Sequence, residues 1–465
     1  MEVLEYFNEI TAIPHCSYDT KKLADFLVNY AKSHGFDTKI DDFGNIHAIK
    51  GEPKVCLQAH YDMVCVGNAP DIELNDDGQY LSAIDSSLGA DNGIGVAICM
   101  KMMAQKNNLE VLWTNNEEVG MLGAAGFNSQ IKSPNLLNLD SECDDEIIIG
   151  CAGGVLLDLS IQSPTKPSFG RFYEVQVNGL PGGHSGVEIH KNIPNAIKVL
   201  SEFLKNNNCE IISLNGGERN NSIPANASAV VLCAHELDTS IVNSNLRAIL
   251  KNLALKDGLS DDSIANISSH NFINARQISS TSEFTLEKSM QILEFINNFK
   301  HGVYKYDEEL NMPHSSANLA IISQKSSAHA LQNADSQDIN VQIYARAMDE
   351  EELKRIATQI SEQARQAGFS VSYNEQSAPW QPVKNDFAAT VLKVLSKHRK
   401  NAKITSIHAG LECGVLCANA AKNGKNLLAC SIGPNIISPH STHEKCEIAS
   451  VHIITQAVDE IINKL

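Results

Sequence analysis

The sequence predicts an α/β protein: a mixed sheet flanked by helices, with a second, α+β domain inserted into it. Three observations predict this. Over residues 1–165, short apolar runs alternate with helical patterns, as in a sheet layered with helices. The composition then shifts at Gln162-Ser163-Pro164-Thr165-Lys166-Pro167-Ser168, a run that reads as a connector, and a second connector, Ser377-Ala378-Pro379-Trp380-Gln381-Pro382, follows later. Beyond it the chain returns to the earlier pattern. Residues 1–165 and 384–465 are therefore read as one domain and 166–383 as the insertion.

Residues 54–58 (KVCLQ), 110–114 (EVLWT) and 136–139 (LLNL) read as buried strands. Gly95 to Met103 is apolar almost all round and follows a glycine-rich turn, which predicts a buried helix. In the insertion, a strand over Tyr173–Val177 leads to a helix whose Ile193, Ala196, Ile197, Leu200, Phe203 and Leu204 keep one face. Strands are expected near 211–214, 229–234, 318–323 and 340–346, with a helix near 286–299. A further helix at 350–366 opens on Asp349-Glu350-Glu351-Glu352, acids that suit the positive helix terminus. The insertion has the outline of two copies of one small α/β unit, without an identical motif at a fixed period. The final segment reads as helix (385–398), strand (427–432) and apolar helix (449–462).

Composition narrows the function classes. The chain has 465 residues, 43% hydrophobic and 20% charged, the mixture of a globular protein with a large core. Its formal net charge of −18 opposes binding to nucleic acid or anionic membrane and favours cations. No run approaches the roughly 20 apolar residues of a membrane span. The opening MEVLEYFNEITAIPHC carries acids where a secretory signal carries bases, so a cytoplasmic location is expected. The twelve cysteines are scattered without a C-x-x-C pair, and most have apolar neighbours. They read as buried reduced thiols.

The polar residues at strand ends carry the chemistry. His60 and Asp62 follow the first strand, Glu117 and Glu118 follow EVLWT across Asn115-Asn116, and Asp140 closes NLLNLD. Ligands of open α/β sheets gather at the carboxyl ends of strands, so these groups should share one rim. Asp91, in Ser87-Leu88-Gly89-Ala90-Asp91-Asn92-Gly93-Ile94-Gly95, stands at the head of the buried helix, where an N-cap role is the simpler reading. The glycines there match neither dinucleotide nor P-loop signatures. Several carboxylates cannot stay charged on a dry rim without a cation between them. Imidazole and carboxylate together suit zinc, and this many donors exceed one catalytic ion but suit two, bridged by a carboxylate.

The motifs LQAHYDMV (57–64), SLGADNGIGVA (87–97), NNEEVGMLGA (115–124), NLDSE (138–142), GGHSGVEIH (182–190), HAGLECG (408–414) and SIGPNIISPHSTHE (431–444) follow one another along essentially the whole chain. In them the sequence resembles the di-zinc exopeptidase family of carnosinases, aminoacylases and glutamate carboxypeptidases. Within it the likeness is greatest to the bacterial aminoacyl-histidine (Xaa-His, or cytosol non-specific) dipeptidases.

The resemblance implies a zinc-exopeptidase-like catalytic domain with the insertion as its lid. It implies that His60, Asp91 and Asp140 bind one zinc ion and that Asp91, Glu118 and His440 bind a second, with His440 favoured over His443. It also implies that Asp62 orients His60 and that Glu117 is the general base, working on a hydroxide that bridges the ions. His184 matches an oxyanion-stabilising histidine, Asn221 a lid residue touching the substrate terminus, and Glu412 a rim carboxylate suited to a free α-amino group. Arg346, ending a strand, has the planar fork to clamp a substrate carboxylate. Dipeptides, including those ending in histidine, are the expected substrates. An N-acyl amino acid deacylase or a carboxypeptidase would use the same chemistry. Manganese or cobalt can replace zinc in such a site, and a homodimer is the expected assembly.

Overall fold

A computed structural model describes residues 1–237, 273–279, 282–324 and 335–465. The chain divides into two compact units, Met1–Cys151 with Trp380–Leu465, and Ala152–Pro379. The run at 162–168 is no connector: it lies inside the long strand Gly153–Phe169. Prolines 164 and 167 are tolerated because this part of the strand is flanked on one side at a time. Ser336–Ala347 pairs with it up to Pro164, and Ser282–Leu286 takes over from Thr165.

The first unit is built on an eight-stranded sheet in the order Asp37–Ile40, Ile46–Lys50, Leu109–Thr114, Val55–His60, Asn135–Asn138, Leu428–Ser431, Glu146–Cys151, Lys403–Ile407. Val55–His60 runs parallel to both Leu109–Thr114 and Asn135–Asn138, with His60 opposite Thr114 and Gln58 opposite Asn138. Three central strands therefore end at one edge. The helix Ala90–Gln105 is buried on nearly every side, as its apolar run requires. A side chain at its Gly93 would meet the Phe7 ring at 2.8 Å, so only glycine lets the helix Val3–Thr11 pack this closely. The helices Asp386–Leu395 and Ile448–Lys464 complete the core through residues such as Val391, Val394, Val451 and Ile454.

The second unit is an antiparallel sheet in the order Ile273–Gln277, Arg171–Val177, Ala227–Cys233, Cys209–Gly216, Met312–Gln324, Ser336–Ala347, Gly153–Phe169, Ser282–Leu286. Gly302–Asp307 and Ser370–Ser377 pair beside Met312–Gln324 and Gly153–Phe169. Burial alternates along Ala227–Cys233 and Ser336–Ala347, so one face packs on helices. Those helices are Ala196–Asn206, Ser289–Asn298 and Glu350–Gln366. The first is capped by the Asn195 side chain and the last by Asp349. The suggested repeat of an α/β unit runs partly through residues outside those described.

Among the described residues no helix is long and apolar enough to cross a membrane. The cysteine expectation is corrected for four residues. Cys16 is disulfide-bonded to Cys65, and Cys209 to Cys233. The second pair sits directly opposite across two antiparallel strands, Cα to Cα 4.4 Å, a juxtaposition invisible without the strand register. The other eight are free thiols, most of them buried.

Candidate metal centre

The common edge of the three parallel strands gathers the residues expected there, all within the first unit. Nε2 of His60 lies 3.2 Å from Oδ1 of Asp91 and 3.3 Å from Oδ1 of Asp140. Nε2 of His440 lies 3.0 Å from the other oxygen of Asp91, Oδ2, and 2.8 Å from Oε1 of Glu118. Asp91 is thus shared, one oxygen to each histidine. His443, by contrast, is exposed.

Two of these contacts are close without being hydrogen bonds. Oε1 of Glu118 and Oδ1 of Asp140 are buried with no hydrogen-bond partner, although a ring nitrogen stands near each. Buried carboxylate oxygens left in this state are costly. Donors of the nitrogen and carboxylate type, held close but out of hydrogen-bond alignment, fit a shared cation. Ligand atoms of His60, Asp91 and Glu118 lie within 4.8 Å of one another.

The charges lead to the same conclusion. Burial, together with the carboxylates of Asp91 and Glu118, pushes Asp140 up to about 7 against the pull of His60. Burial likewise raises Glu118. Burial opposes the charge on His440, but Glu118 and Asp91 outweigh it and push the ring up to about 12. Asp91 goes the other way: despite burial, His440 and His60 hold it well below the usual carboxylate range. The cluster holds more acid than two imidazoles can neutralise, and a divalent cation would supply the deficit.

Around these groups lies a supporting frame. Nδ1 of His60 is nearest the backbone carbonyl of Asp62, at 3.0 Å, with the Asp62 carboxylate farther, at 3.6 Å. That carboxylate accepts instead from the Ser17 hydroxyl (2.8 Å) and from the N–H groups of Glu117 (2.9 Å) and Glu118 (3.4 Å). Asp62 therefore fixes the Glu117–Glu118 turn as well as the His60 ring. Glu117 is half-buried, and burial with the nearby Glu118, Asp140 and Glu412 raises it well above an ordinary glutamate, His60 opposing. Glu412 is fully buried: its Oε2 accepts from Gln58 Nε2 (2.5 Å) and Thr114 Oγ1 (2.6 Å), while Oε1 has no partner. Burial pushes it up to about 7.

Sequence reasoning gave no role to Ser17, Glu142 or Glu444. Glu142 keeps an exposed surface, yet burial of its carboxyl end and the carboxylate of Asp91 push it up to about 8. Glu444 is buried and binds backbone N–H groups. Both lie in motifs already singled out, so proximity to Asp140 and His440 was the available signal.

His184, Asn221 and Arg346 belong to the second unit. Strand pairing of His184 with Ser222, and the bond from Ser185 N–H to the Asn221 carbonyl (2.8 Å), bring the first two onto one ribbon. Nδ1 of His184 accepts from the N–H groups of Gly186 (3.2 Å) and Val187 (3.1 Å). That assigns the proton of the neutral ring to Nε2. Arg346 is buried, its guanidinium 4.5 Å from the Tyr344 ring centre. It pairs with Ser316 on the strand whose Asn318 side chain holds the Ser222 carbonyl at 2.7 Å.

The profile of Peptidase family M28 matches residues 45–149, which include His60, Asp91, Glu117, Glu118 and Asp140. The cytosol non-specific dipeptidase of Escherichia coli is 30% identical, the match covering 99% of this chain and 97% of that protein. The crystal structure of aminoacylhistidine dipeptidase from Vibrio alginolyticus superimposes with a TM-score of 0.71 at 26% identity, covering 100% of this chain and 96% of the other. Human carnosine dipeptidase 1 shares the fold, with a TM-score of 0.53 at 10% identity over 99% and 96% of the two chains. On its sequence and its fold alike, the chain belongs to the metallopeptidase family of the cytosol non-specific and aminoacyl-histidine dipeptidases.

Proposed function

We propose that the protein hydrolyses dipeptides bearing a free α-amino group, those ending in histidine among them, at a two-metal centre in the cytoplasm. The observation that carries this reading is the division of the Asp91 carboxylate between His60 and His440, each beside a second acid, Asp140 or Glu118. One ion would be held by His60, Asp91 and Asp140, the other by Asp91, Glu118 and His440. Two divalent ions there, zinc first with manganese or cobalt able to replace it, would acidify a shared water and polarise the scissile carbonyl.

The side chains do the rest. Glu117 takes the proton of the attacking water and passes it to the leaving amine; its raised affinity for a proton suits both transfers. Asp62 keeps Glu117 in place through the Glu117 N–H. The partnerless Oε1 of Glu412 is the proposed acceptor for the substrate's α-ammonium group, a role a blocked amine could not fill. His184, through Nε2–H, is the proposed oxyanion donor. Asn221 is assigned to the substrate terminus and Arg346 to its carboxylate.

The test is hydrolysis of β-Ala-His, Ala-His and N-acetyl-Ala by chelator-stripped protein, with and without added zinc. Zinc-restored cleavage of the two free-amine dipeptides alone is expected. Cleavage of N-acetyl-Ala alone would transfer the chain to the deacylases.

A further inference from the structure

Glu444 is 2% exposed and carries no role in the mechanism above. Its carboxylate accepts four consecutive backbone N–H groups: Leu88 (2.8 Å) and Gly89 (3.1 Å) on Oε2, Ala90 (2.8 Å) and Asp91 (3.4 Å) on Oε1. Those of Gly89, Ala90 and Asp91 are among the donors that the start of a helix leaves without partners, and that of Leu88 belongs to the turn just before it. Gly89 has no side chain with which to cap them, and Asp91 and Asn92 depart from helical geometry, so the first turn depends on an acceptor from elsewhere. That acceptor lies four residues after His440. The two segments, some 350 residues apart in sequence, therefore meet twice: through Nε2 of His440 on Oδ2 of Asp91, and through Glu444 on the backbone beneath Asp91.

We propose that Glu444 is a positioning residue that sets the spacing of Asp91 and His440, and so the affinity of the metal position formed by Asp91, Glu118 and His440. The inference rests on the two-metal reading above. Ligands on separate segments must be ordered when the ion binds, and a fixed anchor removes that cost beforehand. The other position draws His60 and Asp140 from the ends of neighbouring sheet strands, which hydrogen bonding already holds in register. It shares only Asp91 with the segments that Glu444 joins. Loss of the anchor should therefore fall unequally on the two ions. Removing groups that support metal ligands typically weakens binding about 10–100-fold.

The test is titration of chelator-stripped protein with Zn²⁺ in competition with a chromophoric chelator, for wild type, Glu444→Gln and Glu444→Asp. Circular dichroism reports the fold of each metal-free protein. Glutamine places an amide group against two of the N–H donors, and aspartate keeps the charge but shortens the reach. Wild type is expected to bind two ions tightly. Each folded variant is expected to bind one tightly and the second about 10–100-fold more weakly. If glutamine prevents folding, aspartate decides by the same readout. Two ions at wild-type affinity in the folded variants would overturn the proposal, as would joint loss of both ions and of the folded signal in both variants. A wild type that binds fewer than two ions would overturn the two-metal reading and this inference with it. The titration does not depend on which peptide is cleaved, so a wrong substrate assignment leaves its result unchanged.

Discussion

The N–H of Glu117 donates to Oδ1 of Asp62 at 2.9 Å, so the residue beside His60 also holds the proposed base. Burial alone would raise Asp62, but His60, the Glu117 N–H and the Ser17 hydroxyl outweigh it and hold the group ionised. An amide here would turn its NH2 group either toward the Glu117 N–H or toward the Glu118 N–H and the Ser17 hydroxyl. Asp62→Asn should therefore lower zinc affinity and kcat/KM each by about 10–100-fold, with the fold kept. Zinc titration and steady-state kinetics check this; unchanged values in both would show that Asp62 fixes nothing the reaction needs.

Glu117 and Glu118 are adjacent, yet their surroundings separate their roles. Oε1 of Glu118 lies 2.8 Å from Nε2 of His440, whereas Glu117 is tied to Asp62 through its backbone N–H. Glu117→Gln should bind zinc as wild type does while kcat falls about 10²–10⁴-fold. Metal analysis beside kinetics separates this from loss of an ion. Retained turnover would remove Glu117 as the base.

The strands leading to His60, Glu117, Glu118 and Asp140 were legible because a buried apolar run that ends in acids marks the polar rim of an α/β sheet. The long strand Gly153–Phe169 was not, because its second half carries two prolines and almost no other apolar residue. Its state depends on partners more than 100 residues away. Asp91 was ambiguous alone, since an acid at a helix start is usually a cap; the capping of this helix is done by Glu444. Ser17 acts through a contact with a distant segment, which leaves no local pattern, and the contacts of Glu444 are equally distant, its place four residues after His440 being the one signal in the sequence. The Cys209–Cys233 pair needed a strand register that no spacing rule supplies.

Glu110 is a test of stability rather than catalysis. It is fully buried on the strand Leu109–Thr114 and accepts from His47 Nε2 (2.7 Å), Lys132 N–H (2.7 Å) and Ser133 N–H (2.6 Å). Burial raises its pKa, but these donors prevail and hold it below the ordinary value. A depressed carboxylate contributes stability that is present above its unfolded pKa of about 4.3 and is lost as the pH falls through the folded value. Glu110→Gln should cost about 2 kcal/mol at pH 7 and less at pH 3. Urea unfolding at the two pH values checks it; an equal loss at both would detach the effect from the charge.

A disulfide bridge stands beside Asp62. Cys16 and Cys65 flank the contact in which Ser17 holds Asp62 and the Met63 carbonyl. The bridge closes a loop with a sequence separation of 49, and cross-links of this kind typically add about 2–4 kcal/mol. With four of the twelve cysteines paired, protein denatured without reductant should present eight reactive thiols. Reduction should raise the count to twelve and lower the thermal midpoint. Cys16→Ser should reproduce part of that lower midpoint without reductant, and its unpaired Cys65 should add one thiol to the unreduced count. Twelve thiols in unreduced wild type would mean that Ser17 and the backbone hold this loop on Asp62 unaided, and Cys16→Ser would then leave the midpoint where it was.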